Sequence, residues 1–241
     1  MNSFDVGIIS LLNSFACRSL TFDSLVVLMV RDDLFKGGLF MTLFWWAWFR
    51  QDGDHPGINS REYLLPTVIT CIVAVLIARL LALSLPLRAR PLDTPSLSFQ
   101  LPCTLGRGEW EGWSSFPSDH AVLFFALATG VFFISRLAGA LALLYVSLGI
   151  CFPRLYTGKH WPTDIIAGAL IGISLACVGN IQRLRNLINR PSSRWLKRHP
   201  SSFYAGLFLL TYQMATLFDG ARQIVEVVFR TLRVLLGYAP R

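Results

Sequence analysis

Phe116-Pro117-Ser118-Asp119-His120 stands directly before the apolar run Ala121-Val122-Leu123-Phe124-Phe125-Ala126-Leu127-Ala128. A second polar island, Arg154-Leu155-Tyr156-Thr157-Gly158-Lys159-His160-Trp161-Pro162-Thr163-Asp164, precedes another apolar run. Each island sits where a hydrophobic helix begins. Ionisable residues at membrane depth are costly and mark functional sites. The reading of the chain turns on what these two islands share.

The 241 residues are 54% hydrophobic and 15% charged, against about 25% charged in an average soluble domain. The apolar residues come in runs of roughly 15–24, the length that crosses a hydrocarbon core of about 30 Å. One integral membrane domain, 1–241, is expected, all-α and built as a polytopic helix bundle. Residues 1–20 include Asp5 and lack a basic start before an apolar run, so no secretory signal peptide is expected. The net charge of +8 does not indicate nucleic acid, because the charge is clustered by loop. Residues 181–200 hold Arg183, Arg185, Arg190, Arg194, Lys197 and Arg198 and no acidic residue, the mark of a cytoplasmic loop. Of the five cysteines, Cys71, Cys151 and Cys177 lie in or beside apolar runs and read as packing residues. Cys17 and Cys103 read as less buried, and a bridge between them is possible. No Cys-x-x-Cys spacing suggests zinc.

About six crossings are expected, over 34–49, 63–86, 118–135, 137–152, 162–180 and 202–218. Residues 4–16 read as an interfacial helix, too short to span, and 220–237 as a second, amphipathic one. Trp45, Trp46 and Trp48 beside Arg50 fit an aromatic belt at the bilayer edge. With the 181–200 loop in the cytoplasm, loops 153–161 and 87–117 both face the other side. The suspicious residues of both islands then meet on one non-cytoplasmic face.

Pro117, Ser118 and Asp119 suit a helix start, with Ser118 as cap and Asp119 in the first turn. Pro162 and Asp164 suit another. Good capping accounts for those residues but not for His120, Arg154 or His160. His160 and Asp164 are four apart and can face each other on one turn. A carboxylate on one imidazole nitrogen leaves the other free as a nucleophile. Two helix N-termini on one face, with the planar forks of Arg90 and Arg154, make an anion site suited to phosphate. No Gly-rich nucleotide loop or carboxylate cage for magnesium accompanies them. No metal or cofactor is expected.

On these residues the chain resembles the type 2 phosphatidic acid phosphatase superfamily, membrane lipid phosphatases whose core fold is related to vanadium haloperoxidases. That family carries Lys-x6-Arg-Pro, Pro-Ser-x-His and Ser-Arg-x5-His-x3-Asp. Arg90-Pro91 matches the end of the first motif and Pro117-Ser118-Asp119-His120 the whole of the second. Arg154-x5-His160-x3-Asp164 matches the third from its arginine onward, within a core of about 63–180. Pro153 stands where the third motif has its serine, and the first-motif lysine falls at Leu83. Arg79, on the same helix face one turn deeper, and Arg88 are the candidates to replace it. The resemblance implies that His160 attacks phosphorus, Asp164 orients it, and His120 protonates the leaving oxygen and then activates water. It gives Arg90, Arg154 and Ser118 the phosphate oxygens, with Arg79 as a further phosphate-binding candidate.

The expected function is hydrolysis of a lipid phosphate or diphosphate, undecaprenyl diphosphate-like, at the periplasmic or outer face of a bacterial inner membrane. Phosphotransfer to a lipid or sugar hydroxyl and non-catalytic lipid-phosphate binding are the alternatives. The partners expected are the lipid phosphate and membrane lipids, with no nucleic acid. Lys159 reads either as a phosphate-steering residue or as a plain interfacial lysine. Glu109-Trp110-Glu111-Gly112-Trp113 reads as an interfacial anchor or a wall of the headgroup pocket.

Overall fold

The computed structural model describes residues 2–50, 59–106 and 114–219. The 220–237 amphipathic segment and the Glu109–Trp113 cluster lie outside them. Among the described residues the chain is all-helical, with no strand. In order it forms α1 (Ser3–Asn13), α2 (Leu20–Arg31), α3 (Leu39–Phe49), α4 (Ser60–Ser84), α5 (Asp119–Ile134), α6 (Arg136–Tyr145), α7 (Phe152–Tyr156), α8 (Pro162–Gly179), α9 (Gln182–Arg198) and α10 (Pro200–Ala215). A π-helical stretch, Leu34–Gly38, leads into α3, and another, Val146–Cys151, joins α6 to α7.

Three helical stretches are long and apolar enough to cross a membrane: Ser60–Ser84, Arg136–Tyr156 and Pro162–Gly179. They agree closely with the expected crossings over 63–86, 137–152 and 162–180. The other three expected crossings form helices that fall short. With 16 residues each, α5 and α10 span about 24 Å at 1.5 Å per residue. Among the described residues three helices thus reach full spanning length, and the expected count of about six is not confirmed. Outward-facing apolar stripes fit lipid: Ile69, Val73, Leu76, Leu80 and Leu83 on α4, and Leu137, Leu141, Leu144 and Leu148 along α6 and its π continuation, are all exposed. Their three-and-four spacing puts each set on one helix face. The chain is an integral membrane protein.

At the centre, α5 packs against α8, α4 and α6. It is buried almost all round, from Ala121 to Leu127 on every face but that of Phe125. Two glycines of α8, one turn apart, set its distance from α5. A Cβ on Gly168 would lie 2.8 Å from the Ser118 carbonyl oxygen, and one on Gly172 2.3 Å from that of Val122. Small residues at such spacing let two backbones approach where lipid offers no hydrophobic drive. The close approach brings the N-termini of α5 and α8 side by side, with the Ser118 N–H donating to the Asp164 carbonyl at 3.2 Å.

Two segments differ from expectation. The basic 181–200 loop is mostly the helix α9, whose Leu196 packs on the core and whose Arg185 lies over the Tyr63 ring, while Arg183, Arg190, Arg194 and Arg198 are exposed. Asn189 Nδ2 donates to the Glu62 carbonyl at 2.9 Å, and Trp195 Nε1 to Ser202 Oγ at 2.9 Å, tying α9 to α4 and α10. Residues 20–31, given no element by the sequence reading, form α2, capped by Ser19 Oγ accepting from the Phe22 N–H at 3.3 Å.

Candidate active site

His160 stands in the turn before α8. Its Nδ1 lies 2.8 Å from the Ser115 carbonyl oxygen and 3.8 Å from Asp164 Oδ2. A carbonyl only accepts, so Nδ1 carries the hydrogen and Nε2 keeps its lone pair. The sequence spacing points to Asp164 as the partner of Nδ1, but the nearer acceptor is the backbone carbonyl of Ser115. That backbone is itself held: the Ser115 N–H donates to the Arg88 carbonyl at 2.9 Å.

Asp164 is fully buried and occupied on both oxygens. Oδ2 accepts the Trp161 N–H at 2.8 Å, closing the first turn of α8, and Oδ1 accepts from Arg88 Nη1 at 2.5 Å. Arg88 also donates Nη2 to Asp5 Oδ2 at 2.6 Å and lies over the Trp161 ring, 5.6 Å from its centroid. Trp161 Nε1 donates to the Ala89 carbonyl at 2.8 Å. The stretch 87–90 thus grips the α8 start from three directions.

Ser118 occupies the N-cap position of α5, as expected, but its hydroxyl makes no cap bond. Its Oγ is buried with no hydrogen-bond partner. A buried hydroxyl left unpaired costs free energy, and here it lies between two helix N-termini. His120 follows in the first turn of α5, its ring 6.4 Å from that of Phe124. Arg154, only 2% exposed, donates Nη1 to the Ile150 carbonyl at 3.0 Å, which engages one of the five donors of its fork. The Arg154 carbonyl accepts the Lys159 N–H at 2.9 Å. Gly158 turns the chain between them with φ +67°, and the Phe99 ring lies where a Cβ would be. Its carbonyl accepts the Leu92 N–H at 3.1 Å.

The cations divide into two groups. Arg79 is paired with Asp119, the variable position of the Pro-Ser-x-His motif in the first island, and Arg88 with Asp5 and Asp164. Leu83, at the place of the first-motif lysine, is 73% exposed and faces outward. Neither arginine is therefore a simple stand-in for that lysine. Arg90, Arg154 and Lys36, the last paired with Asp33 at 2.6 Å, all lie close enough to act on Lys159. Burial lowers the Arg90 pKa from its ordinary value, with Asp93 opposing the shift and Arg79 adding to it. Lys159 is pushed down to about 7 by burial first, then by Arg154, Lys36, Arg90 and Arg31. An anion placed among these groups relieves their mutual repulsion. Arg154, His160, Lys36 and Lys159 all lie within electrostatic reach of His120.

The sequence reading missed Lys36, Asp5 and Asp23. Lys36 was hidden in an expected crossing, and its visible signal was a charge inside an apolar run. Asp23 is fully buried. Its Oδ1 accepts from Tyr156 Oη at 2.5 Å, and its Oδ2 from the N–H groups of Cys17 and Cys103, each at 3.0 Å. Those two cysteines form a disulfide. Cys17, Asp23 and Cys103 are close enough for a metal by distance, but the sulfurs are spent on each other and the carboxylate on three donors.

The PAP2 superfamily pattern matches residues 63–187, over half of the chain, and includes both islands. The chain belongs to the PAP2 superfamily. It is similar to the Bacitracin transport permease protein BcrC of Bacillus licheniformis, 32% identical over 115 residues, which cover 48% of this chain and 53% of that one. It is also similar to the putative undecaprenyl-diphosphatase YbjG of Escherichia coli, 37% identical over 59 residues, 24% of this chain and 30% of the relative. The matches thus span about half the length of the first relative and less than a third of the second. Among solved structures, Aquifex aeolicus LpxE superposes with a TM-score of 0.55 at 24% identity, over 74% of this chain and 95% of that one. The PAP2 helix bundle is therefore shared with LpxE as a fold.

Proposed function

We propose that this PAP2 protein is a lipid phosphatase that hydrolyses a lipid phosphate or diphosphate without a metal, through a phosphohistidine on His160. The observation that carries the proposal is the 2.8 Å contact of His160 Nδ1 with the Ser115 carbonyl. With Nδ1 engaged there, Nε2 is the nitrogen left to act as nucleophile. In the first step Nε2 attacks phosphorus and the bond from phosphorus to the lipid-side oxygen breaks. That oxygen takes a proton from His120. In the second step water attacks the phosphohistidine, His120 takes back a proton, and the N–P bond breaks to release phosphate. Arg90, Arg154, the Ser118 hydroxyl and the N–H groups opening α5 and α8 hold the equatorial oxygens. Asp164 fixes the turn that carries His160, and Arg79 acts through Asp119 on the first island.

An undecaprenyl diphosphate-like substrate is favoured by the likeness to YbjG, whose name carries that activity. A site facing away from the cytoplasm, in a bacterial inner membrane, is supported twice. The Cys17–Cys103 disulfide is at home in an oxidising compartment. The basic α9 has the charge of a cytoplasmic segment. The test is phosphate release by the purified full chain from a panel of lipid mono- and diphosphates in detergent, with chelator present. Release from a polyprenyl diphosphate is expected. Absence of release from every member of the panel, or release only when magnesium is restored, defeats the proposal.

A further inference from the structure

Asp5 lies on α1, far outside the residues 63–187 that match the superfamily. It is 1% exposed and accepts three hydrogen bonds from the site's support. Oδ2 accepts from Arg88 Nη2 at 2.6 Å and from Thr163 Oγ1 at 2.7 Å, and Oδ1 accepts the Thr163 N–H at 3.0 Å. Arg88 Nη1 in turn donates to Thr163 Oγ1 at 2.9 Å and to Asp164 Oδ1 at 2.5 Å. Asp5, Arg88 and Thr163 close a ring of charge-assisted bonds at the first turn of α8, and Arg88 carries it on to Asp164, four residues from His160.

A buried carboxylate in an otherwise apolar helix is expensive unless paired and hydrogen-bonded. Here every bond it makes goes to one place. The Asp5 carboxylate fixes the Arg88 fork, and the fork decides where Asp164 and the Trp161–Asp164 turn sit. Without the Asp5 charge, the second arm of the half-buried fork loses its anion, and Arg88 is drawn toward Asp164. The backbone carrying His160 is anchored at both ends of this arrangement. Ser115, which orients the imidazole, also bonds the Arg88 carbonyl. A displacement of about 1 Å in a nucleophile costs on the order of a hundredfold in rate.

We infer that Asp5 is a positioning residue for the reaction, acting through Arg88 on Asp164 and on the turn that holds the His160 nucleophile. The helix α1, outside the matched region, is thereby part of the working site and not only a membrane-surface element. The inference rests on the phosphatase reading for its rate effect, and its geometry has a separate readout.

The experiment compares the purified full chain with Asp5→Asn, Asp5→Glu, Asp164→Asn and the Asp5→Asn/Asp164→Asn pair. Rates on the best substrate of the panel are measured with thermal unfolding midpoints. Asp5→Asn is expected to lower kcat at least about tenfold with KM within about twofold. Asp5→Glu is expected to recover part of the loss. In the pair, Asp5→Asn adds little to Asp164→Asn, because both act through one arrangement. Wild-type kcat in Asp5→Asn, or a full multiplication of the two losses, overturns the inference. Amide hydrogen exchange of residues 160–166 is measured on the same proteins. Faster exchange there in Asp5→Asn is expected, and unchanged exchange counts against Asp5 even where no substrate is turned over. A wild-type protein that releases no phosphate defeats the proposed function alone, and the exchange comparison then decides the role of Asp5.

Discussion

Two charged residues show how depth decides a role. Arg79 sits one turn below the place of a motif lysine but is paired with Asp119, whose side chain is 12% exposed. Both side chains are half-buried, Arg79 being 26% exposed, so stranding one charge costs less than the roughly 3–5 kcal/mol of a fully buried pair but still destabilises. Arg79→Leu is therefore expected to lower the thermal midpoint, and Arg79→Leu/Asp119→Asn to recover more than half of that loss. If the double variant is no more stable than the single one, the pairing does not account for Arg79. Lys159 behaves differently. Its pKa, pushed down to about 7, means that above neutrality the amine is uncharged in the empty site. An anion favours the charged form, so binding above that point needs proton uptake and weakens as pH rises. Below it the amine is already charged and the dependence flattens. Sulfate, which keeps its charge over this range, is the suitable probe. Its inhibition constant is expected to rise between pH 7 and about 9, and Lys159→Arg to remove the slope. A flat wild-type profile contradicts this assignment.

At the scale of elements, the site depends on how closely α5 and α8 approach. Gly172 faces the Val122 carbonyl where a Cβ would lie 2.3 Å away, so a larger residue must push the helices apart. Gly172→Leu is expected to destabilise by about 1–3 kcal/mol or more. It is also expected to lower kcat beyond what the lost stability explains, because the two N-termini separate. Retained stability and activity would show that the spacing is set elsewhere. These helices were readable in advance because α4, α8 and the α6–α7 stretch carry long apolar runs with polar stops. The two islands were readable because their histidines and Arg154 had no packing reason to be there. Three things escaped. The helix α2 escaped because its Ser19 cap lies between two short apolar stretches, neither long enough to span. The support from Asp5 escaped because a contact between residues 5, 88 and 164 leaves no local pattern. The role of the Ser115 carbonyl escaped because backbone acceptors carry no sequence signature, and the spacing of His160 and Asp164 pointed to a carboxylate instead.

At the scale of the whole molecule, the N-terminal 31 residues are clamped to the superfamily core at two points. Asp5 holds the start of α8, and Asp23 with the Cys17–Cys103 bridge holds Tyr156, two residues beyond Arg154. The proposed topology puts the bridge and the basic α9 on opposite sides of the membrane. Single cysteines introduced at Ser96, in the loop before α5, and at Ser193, on α9, test this with an impermeant reagent applied outside intact cells. Labelling at Ser96 and protection at Ser193 are expected, and the reverse inverts the orientation. The central claim is that His160 attacks phosphorus through Nε2. Its most direct test is to quench the purified protein during turnover of a lipid phosphate and locate the phosphoryl group by mass spectrometry under alkaline conditions. The account predicts Nε2-phosphohistidine at residue 160, absent from His160→Ala, which should turn over at least about a thousandfold more slowly. A phosphoryl group on any other residue, or a His160→Ala protein keeping more than a tenth of the wild-type rate, would contradict it.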